Sequence, residues 1–202
     1  MAKSAKPVDQ RKAETRLIAK KNRASVACAK SVAVINRHLT DVVGSLHKPV
    51  VSAYLAIADE IDLMPSMKIW AGNGQTVCLP VVTQKNEALG FRKWTPDTAL
   101  QKGPLATRHP GIDAEQMDPD IILLPLLAFD GDGYRLGWGG GFYDRTLGRY
   151  RKQGWKITAL GVAFAAQRWD ALPVDDYDQA MDGVVTENGV TWFKTHSLTN
   201  GV

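Results

Sequence analysis

DIILLPLLAFDGDGYRLGWGGGFYDR, residues 120–145, carries the reading of this chain. Residues 120–130 are almost unbroken in hydrophobicity, the composition of a strand covered on both faces. Gly137, Gly139, Gly140 and Gly141 then put four glycines into five positions. Glycine removes side chains where the backbone approaches a ligand or takes positive φ. A helix is expected from Phe142 to about Gln153. The loop N–H groups and the helix N-terminus together suit phosphate oxygens. Arg135 and Arg145 flank the loop and offer charge-assisted hydrogen bonds to the same anion. The pattern is neither a Walker A loop, since GK[ST] is missing, nor a dinucleotide GxGxxG. A tight strand-to-helix turn would also use glycines. Ligands of open α/β sheets gather at the carboxyl ends of strands, which favours an anion site. Asp144, directly after the loop, reads either as an Mg2+ ligand or as a carboxylate serving the helix dipole.

Outward from this stretch, strands and helical segments alternate. Residues 11–39 contain no Pro or Gly and form one long helix or two short ones. VVSAYLAI (50–57), TVCLPVV (76–82), EALGFRKW (87–94), ITALGVAF (157–164) and DGVVTENG (182–189) read as strands, with a short helix over 63–70 and a turn over 71–75. Residues 95–120, rich in Pro, Gly and charge, read as a surface loop. The expected fold is α/β: one domain with a mostly parallel, helix-flanked, doubly wound, Rossmann-like sheet. It is expected over residues 11–192, between a flexible tail at 1–10 and a second tail at 193–202.

Hydrophobic residues make up 45% of the 202 and charged residues 23%, ordinary for a soluble globular chain. No apolar run spans a bilayer, and the first residues lack the apolar core of a secretory signal. Cys28 and Cys78 match no metal or redox spacing, and both are expected as buried thiols in a reducing compartment, the cytoplasm. The net charge of +4 is concentrated in residues 1–48, with 11 Lys/Arg against 3 Asp/Glu. Such a flank suits an anionic partner. Nucleic acid is one option, but the basic segment lacks the interleaved aromatics of a stacking platform. His38, His47, His109 and His196 fit no nucleophile–base arrangement and are expected on the surface or in linkers.

The same stretch resembles the signature of the 5-formyltetrahydrofolate cyclo-ligases: a hydrophobic strand with Pro125, then Ala128-Phe129-Asp130, Arg135-Leu136-Gly137 and a glycine run ending in Tyr143-Asp144. KAETR (12–16), YLAIADEI (54–61), Leu79-Pro80, FRKW (91–94) and VDDYDQAMDGVVTE (174–187) resemble further family segments in order and spacing. Two features depart from the pattern. Phe142 stands where the family often has the first of two tyrosines, and GPLATRHPGI (103–112) is longer and more basic than usual.

The resemblance implies ATP-dependent cyclisation of 5-formyltetrahydrofolate to 5,10-methenyltetrahydrofolate, with Mg2+ and release of ADP and phosphate. It implies catalytic roles for Arg16, Arg135 and Tyr143. ATP would meet Lys12 and Arg16, one helical turn apart, and Arg135, Leu136, Gly137, Trp138, Gly139, Gly140, Gly141, Phe142, Tyr143 and Arg145. The folate would meet Leu55, Glu60, Trp94 and Trp138, although Leu55 and Trp94 read equally as core. Asp144 and Asp178 would hold Mg2+, with Asp176 and Asp182 as rivals to Asp178. The expected partners are small molecules, with no nucleic acid or membrane, and the expected state is a monomer. The rival reading is a catalytically idle relative that binds folate or nucleotide.

Overall fold

The computed structural model describes residues 6–46, 49–104 and 107–193. Alternation along the strands divides the core into two clusters. In β6 (Ile121–Pro125), Ile121 and Leu123 face one cluster, and Ile122 and Leu124 the other. β1 (Val51–Ser52) and β2 (Val77–Val81) follow suit: Val51, Val77 and Leu79 join the first cluster and Cys78 the second. Strands with side chains buried on both faces need cover on both. α2 (Ala29–Gly44) gives Ile35, Leu39 and Val43 to the first cluster, and α3 (Met64–Gly72) gives Met67 and Trp70. α4 (Phe142–Lys152) covers the opposite face with Leu147 and Tyr150.

With β3 (Gly90–Trp94), β9 (Thr158–Val162), β10 (Gly183–Thr186) and β11 (Gly189–Trp192), these strands form a seven-stranded sheet ordered β11, β10, β9, β6, β1, β2, β3. The pairs from β10 through β2 are parallel, and the edge strands β3 and β11 are antiparallel. The doubly wound α/β expectation is met. β1 and β6 lie side by side, yet their chains continue outward in opposite directions. Their carboxyl ends therefore open a crevice where ligands of such sheets bind.

Several elements differ from expectation. The N-terminal helical stretch is two helices, α1 (Val8–Val26) and α2, parted by extended backbone at Ala27 and Cys28 without any Gly or Pro. α1 begins inside the stretch expected as a tail. The strand expected over 120–130 ends at Pro125, which has no N–H for the ladder. β7 (Ala128–Phe129) then pairs with β8 (Arg135–Leu136) as a separate hairpin, turned at Gly133 with φ +85°. The loop expected over 95–120 holds a second hairpin, β4 (Leu100–Lys102) with β5 (Arg108–Pro110). Cys28 is exposed at the α2 N-cap, accepting from the Ser31 N–H at 3.5 Å, so only Cys78 is a buried thiol. Burial pushes the Cys78 thiol up to about 12. His47, His196 and most of the expected C-terminal tail lie outside the described residues, among which no helix is long and apolar enough to cross a membrane.

Candidate active site

At the crevice beyond β1 and β6 lies a cavity of about 1360 Å³. A single small-molecule pocket is usually no more than about 1,000 Å³, so there is room for two ligands. The glycine loop runs along it between two different walls. One wall, past the ends of β1 and β2, is apolar and carries Leu55, Ile57, Pro80, Val82 and Leu89. The other is polar and carries Lys12, Arg16, Asp144, Asp175, Asp178 and Gln179.

Each glycine of the loop has its own reason. Gly139 and Gly141 sit at φ +99° and +65°, where an L side chain is strained. A Cβ on Gly139 would lie 3.3 Å from Arg16 Cζ, and one on Gly140 2.8 Å from the Phe142 ring. Gly141 caps α4, and a Cβ there would meet Arg145 Nη1 at 2.6 Å. Gly137 differs: its φ is ordinary, and nothing lies within 4 Å of a Cβ built there. No packing contact among the described residues accounts for that glycine. The first-turn amides of α4, which a helix cannot satisfy by itself, begin at the same loop.

α1 supplies the cations. Lys12, Arg16, Ala19 and Arg23 recur at helical spacing, and Lys12, Ala19 and Arg23 are buried. Leu17 and Ile18 are instead 66% and 52% exposed. A helix that buries its basic stripe and exposes its apolar residues inverts the usual pattern. Arg16 Nε donates to Gly137 O at 3.0 Å, tying α1 to the loop. Lys12 Nζ donates to Asp175 Oδ2 at 2.7 Å and Asp178 Oδ2 at 2.5 Å. Burial works against the Lys12 charge, but these two carboxylates outweigh it and raise its pKa. Lys12 in turn holds Asp175 below the usual carboxylate range, against a smaller opposing effect of burial.

Arg23, 2% exposed, does not line this cavity but lies behind it, in a small adjoining pocket with Tyr54 and Glu60. Nε and Nη2 reach the Asp59 carboxylate at 3.0 and 2.7 Å, and Nη1 reaches Leu126 O at 3.2 Å. The turn after β1 and the segment after β6 are thereby joined through one guanidinium. Glu60 lies 3.9 Å from Arg23 Nη1, accepts the Ile57 N–H at 2.9 Å and accepts Trp138 Nε1–H at 2.8 Å. Burial pushes the Glu60 carboxyl up, more than these donors and Arg23 pull it down. The Tyr54 and Tyr143 phenols line the same cavity. Burial first, and then the Glu60 charge, push both well up, so they stay protonated donors. Trp138 itself is 45% exposed, with Lys20 Nζ 4.6 Å from its ring centroid.

Residues 6–187 match the 5-formyltetrahydrofolate cyclo-ligase family. The chain belongs to that family. It is 35% identical over 146 residues to the 5-formyltetrahydrofolate cyclo-ligase of Escherichia coli, covering 69% of this chain and 79% of that one. The Haemophilus influenzae cyclo-ligase is 29% identical over 150 residues, 71% and 79% of the two chains. Among solved structures, Aquifex aeolicus 5,10-methenyltetrahydrofolate synthetase superposes with a TM-score of 0.73 at 27% identity, covering 94% of this chain and 96% of that one.

Within this cyclo-ligase-family fold the expected site residues fall into two groups. Lys12, Arg16, Leu55, Glu60, Arg135, Asp144, Arg145, Asp178 and the loop from Leu136 to Tyr143 all line the one cavity. Trp94 does not. It is 4% exposed within the first core cluster and is a packing residue. Two expected phosphate cations are engaged elsewhere. Lys12 is committed to Asp175 and Asp178. Arg135 turns its guanidinium to Gln179 O at 2.6 Å and Asp144 Oδ1 at 2.8 Å. Arg145 Nη2 holds Gly140 O at 2.7 Å, and its guanidinium lies 5.1 Å from the Phe142 ring.

The acidic residues fit a cation brought by a ligand better than a resident one. Among the described residues no three His, Cys, Asp or Glu gather as a metal cage. Asp144 Oδ1 is occupied by Arg135 and by the Gln179 N–H at 3.1 Å, while Oδ2 has no hydrogen-bond partner among the described residues. Mg2+ commonly takes one or two carboxylates plus phosphate oxygens and water, and this donor set suits that. Of the rivals to Asp178, Asp176 lines the cavity and Asp182 is buried against the Ala159 N–H. Arg23, Asp59, Tyr54 and Asp175 escape a reading of local motifs. The signal for Arg23 is its register with Lys12 and Arg16 on one face of α1.

Proposed function

We propose that this enzyme uses ATP with Mg2+ to close 5-formyltetrahydrofolate into 5,10-methenyltetrahydrofolate, releasing ADP and phosphate. The formyl oxygen attacks the γ-phosphorus and ADP departs, which converts a poor leaving group into a phosphate ester. N10 then attacks the activated formyl carbon and loses its proton. The C–O bond breaks, phosphate leaves, and the N5–C–N10 amidinium remains. No protein nucleophile is needed; positioning and charge neutralisation are.

The supporting observation is the glycine loop lying open between a polar and an apolar wall. In this reading the triphosphate lies against the loop amides and the first turn of α4. Arg16 steadies the loop through Gly137 O and faces the transferred group. Arg135 fixes Asp144, and Lys12 fixes Asp178; these two carboxylates would hold Mg2+, which supplies neutralisation of phosphate charge. Glu60 and Trp138 take the pterin, Leu55 flanks its rings, and the Tyr143 phenol donates to the reacting oxygen.

The test is spectroscopic. Purified protein mixed with 5-formyltetrahydrofolate should develop the methenyl chromophore only when both ATP and Mg2+ are present. Folded protein that binds both ligands and leaves the spectrum unchanged would identify an idle relative instead.

A further inference from the structure

The chemistry above leaves the Tyr54 hydroxyl without a task. The Tyr54 ring packs in the first core cluster, and the residue is only 4% exposed. It nevertheless lines the main cavity together with Glu60, and the same two residues line the small pocket behind it. Among the described residues its hydroxyl makes no hydrogen bond. A phenylalanine ring would fill the same place in the core. A hydroxyl buried without a partner costs stability. An oxygen kept at that cost beside a ligand cavity points to a partner that arrives with the ligand. Glu60 indicates the polarity of that ligand. Its Oε1 accepts Trp138 Nε1–H at 2.8 Å, and its Oε2 accepts the Ile57 N–H at 2.9 Å. Each carboxylate oxygen has two lone pairs, so each keeps one acceptor site. Burial and the Glu60 charge keep the Tyr54 phenol protonated, and therefore a donor. Two acceptor sites and one donor lining the same pocket complement a ligand edge that reads donor, donor, acceptor. The 2-amino, N3–H and 4-oxo groups of a reduced pterin form such an edge.

We infer that the Tyr54 hydroxyl donates to the pterin 4-oxo group, while Glu60 accepts from the 2-amino and N3–H groups, and that Tyr54 thereby makes the site selective for 4-oxo pterins. This rests on the proposed folate substrate. The formyl group on N5 is peri to the 4-oxo group, and Tyr143, which the proposed reaction sets on the formyl oxygen, lines the same cavity. The two phenols therefore have separate oxygens to serve. A contact with the 4-oxo group is present before and during the reaction, so its loss raises KM and spares kcat. A contact with the reacting oxygen would be lost from kcat.

The experiment is a double cycle over protein and ligand, read by titration calorimetry without ATP. 5-Formyltetrahydrofolate and its 4-deoxy analogue, which lacks the acceptor, are titrated into the full chain and into Tyr54→Phe. The variant keeps the ring and loses an unpaired hydroxyl, so its urea midpoint should be unchanged or higher. It should bind 5-formyltetrahydrofolate about tenfold more weakly, the size of one lost hydrogen bond. It should bind the 4-deoxy analogue as the unaltered chain does, because the Glu60 contribution is common to both proteins and cancels in the cycle. Unchanged affinity for 5-formyltetrahydrofolate would overturn the inference, and so would equal weakening of both ligands, which marks a packing effect. A fall in kcat at unchanged folate affinity would set the hydroxyl on the reacting oxygen and overturn it too. Failure of the unaltered chain to bind either pterin would overturn both this contact and the folate reading. Cyclisation is measured separately with ATP and Mg2+: the expected binding pattern without methenyl product would defeat the cyclo-ligase reading and leave the Tyr54 contact standing.

Discussion

Replacing Arg23 with alanine would leave the Asp59 carboxylate without its two N–H donors and remove one donor from Leu126 O, which keeps Gln167 Nε2–H. Breaking a buried ion pair on one side costs about 3–5 kcal/mol. Asp59 keeps 28% side-chain exposure, so the lower end, about 3 kcal/mol in urea unfolding, is expected. Glu60 makes a prediction with a definite sign. Its carboxyl is raised by burial, so the folded state binds the proton more tightly than the unfolded chain. Its contribution to stability is therefore full below the ordinary glutamate range and is lost as pH rises through the raised value. Glu60→Gln removes this titration, so its stability relative to the unaltered chain should climb with pH above that range and then level off. Urea melts at a series of pH values measure it; a pH-independent difference would contradict the burial argument. The family resemblance of YLAIADEI points to Glu60, which the structure places in a turn well beyond the end of β1. Motif reading does not find Arg23, since nothing local separates one basic residue of a basic helix from the next. It also leaves open that Lys12 is matched by two carboxylates from a loop more than 160 residues away.

The glycine loop separates fold from function within one element. Gly139 and Gly141 hold left-handed backbone, so alanine at either should cost about 1–2 kcal/mol of stability. Gly137 has ordinary φ and open space around it, so Gly137→Ala should leave the unfolding midpoint nearly unchanged. The same variant should raise the KM for ATP by about tenfold or more, as expected when a methyl displaces a phosphate from backbone donors. An unchanged KM would mean that Gly137 faces no ligand. The loop is legible in sequence because only glycine tolerates such backbone, and a run of it between strand and helix is conspicuous. The two small hairpins are not. β4, β5, β7 and β8 are two or three residues long, below any periodicity, and β11 follows β10 after a tight turn. Short strands are fixed by what they pack against, not by their own pattern.

At the scale of the molecule, the parallel sheet is legible because its central strands are apolar on both faces. The order of the strands is not written in any of them. It follows from α2 and α3 covering one face while α4 covers the other. That winding puts the ends of β1 and β6 side by side, and it explains why Glu60, Arg16 and the glycine loop, distant in sequence, share one cavity. In the proposed reaction, two walls of opposite character beside one loop would bring a triphosphate to an amide oxygen. A crystal structure with a non-hydrolysable ATP analogue and Mg2+ measures this most directly. The β- and γ-phosphates should lie within hydrogen-bonding distance of the main-chain amides between Gly137 and Tyr143, with the cation on Asp144 or Asp178. A triphosphate seated against the apolar wall, or bound away from the loop altogether, would contradict the account.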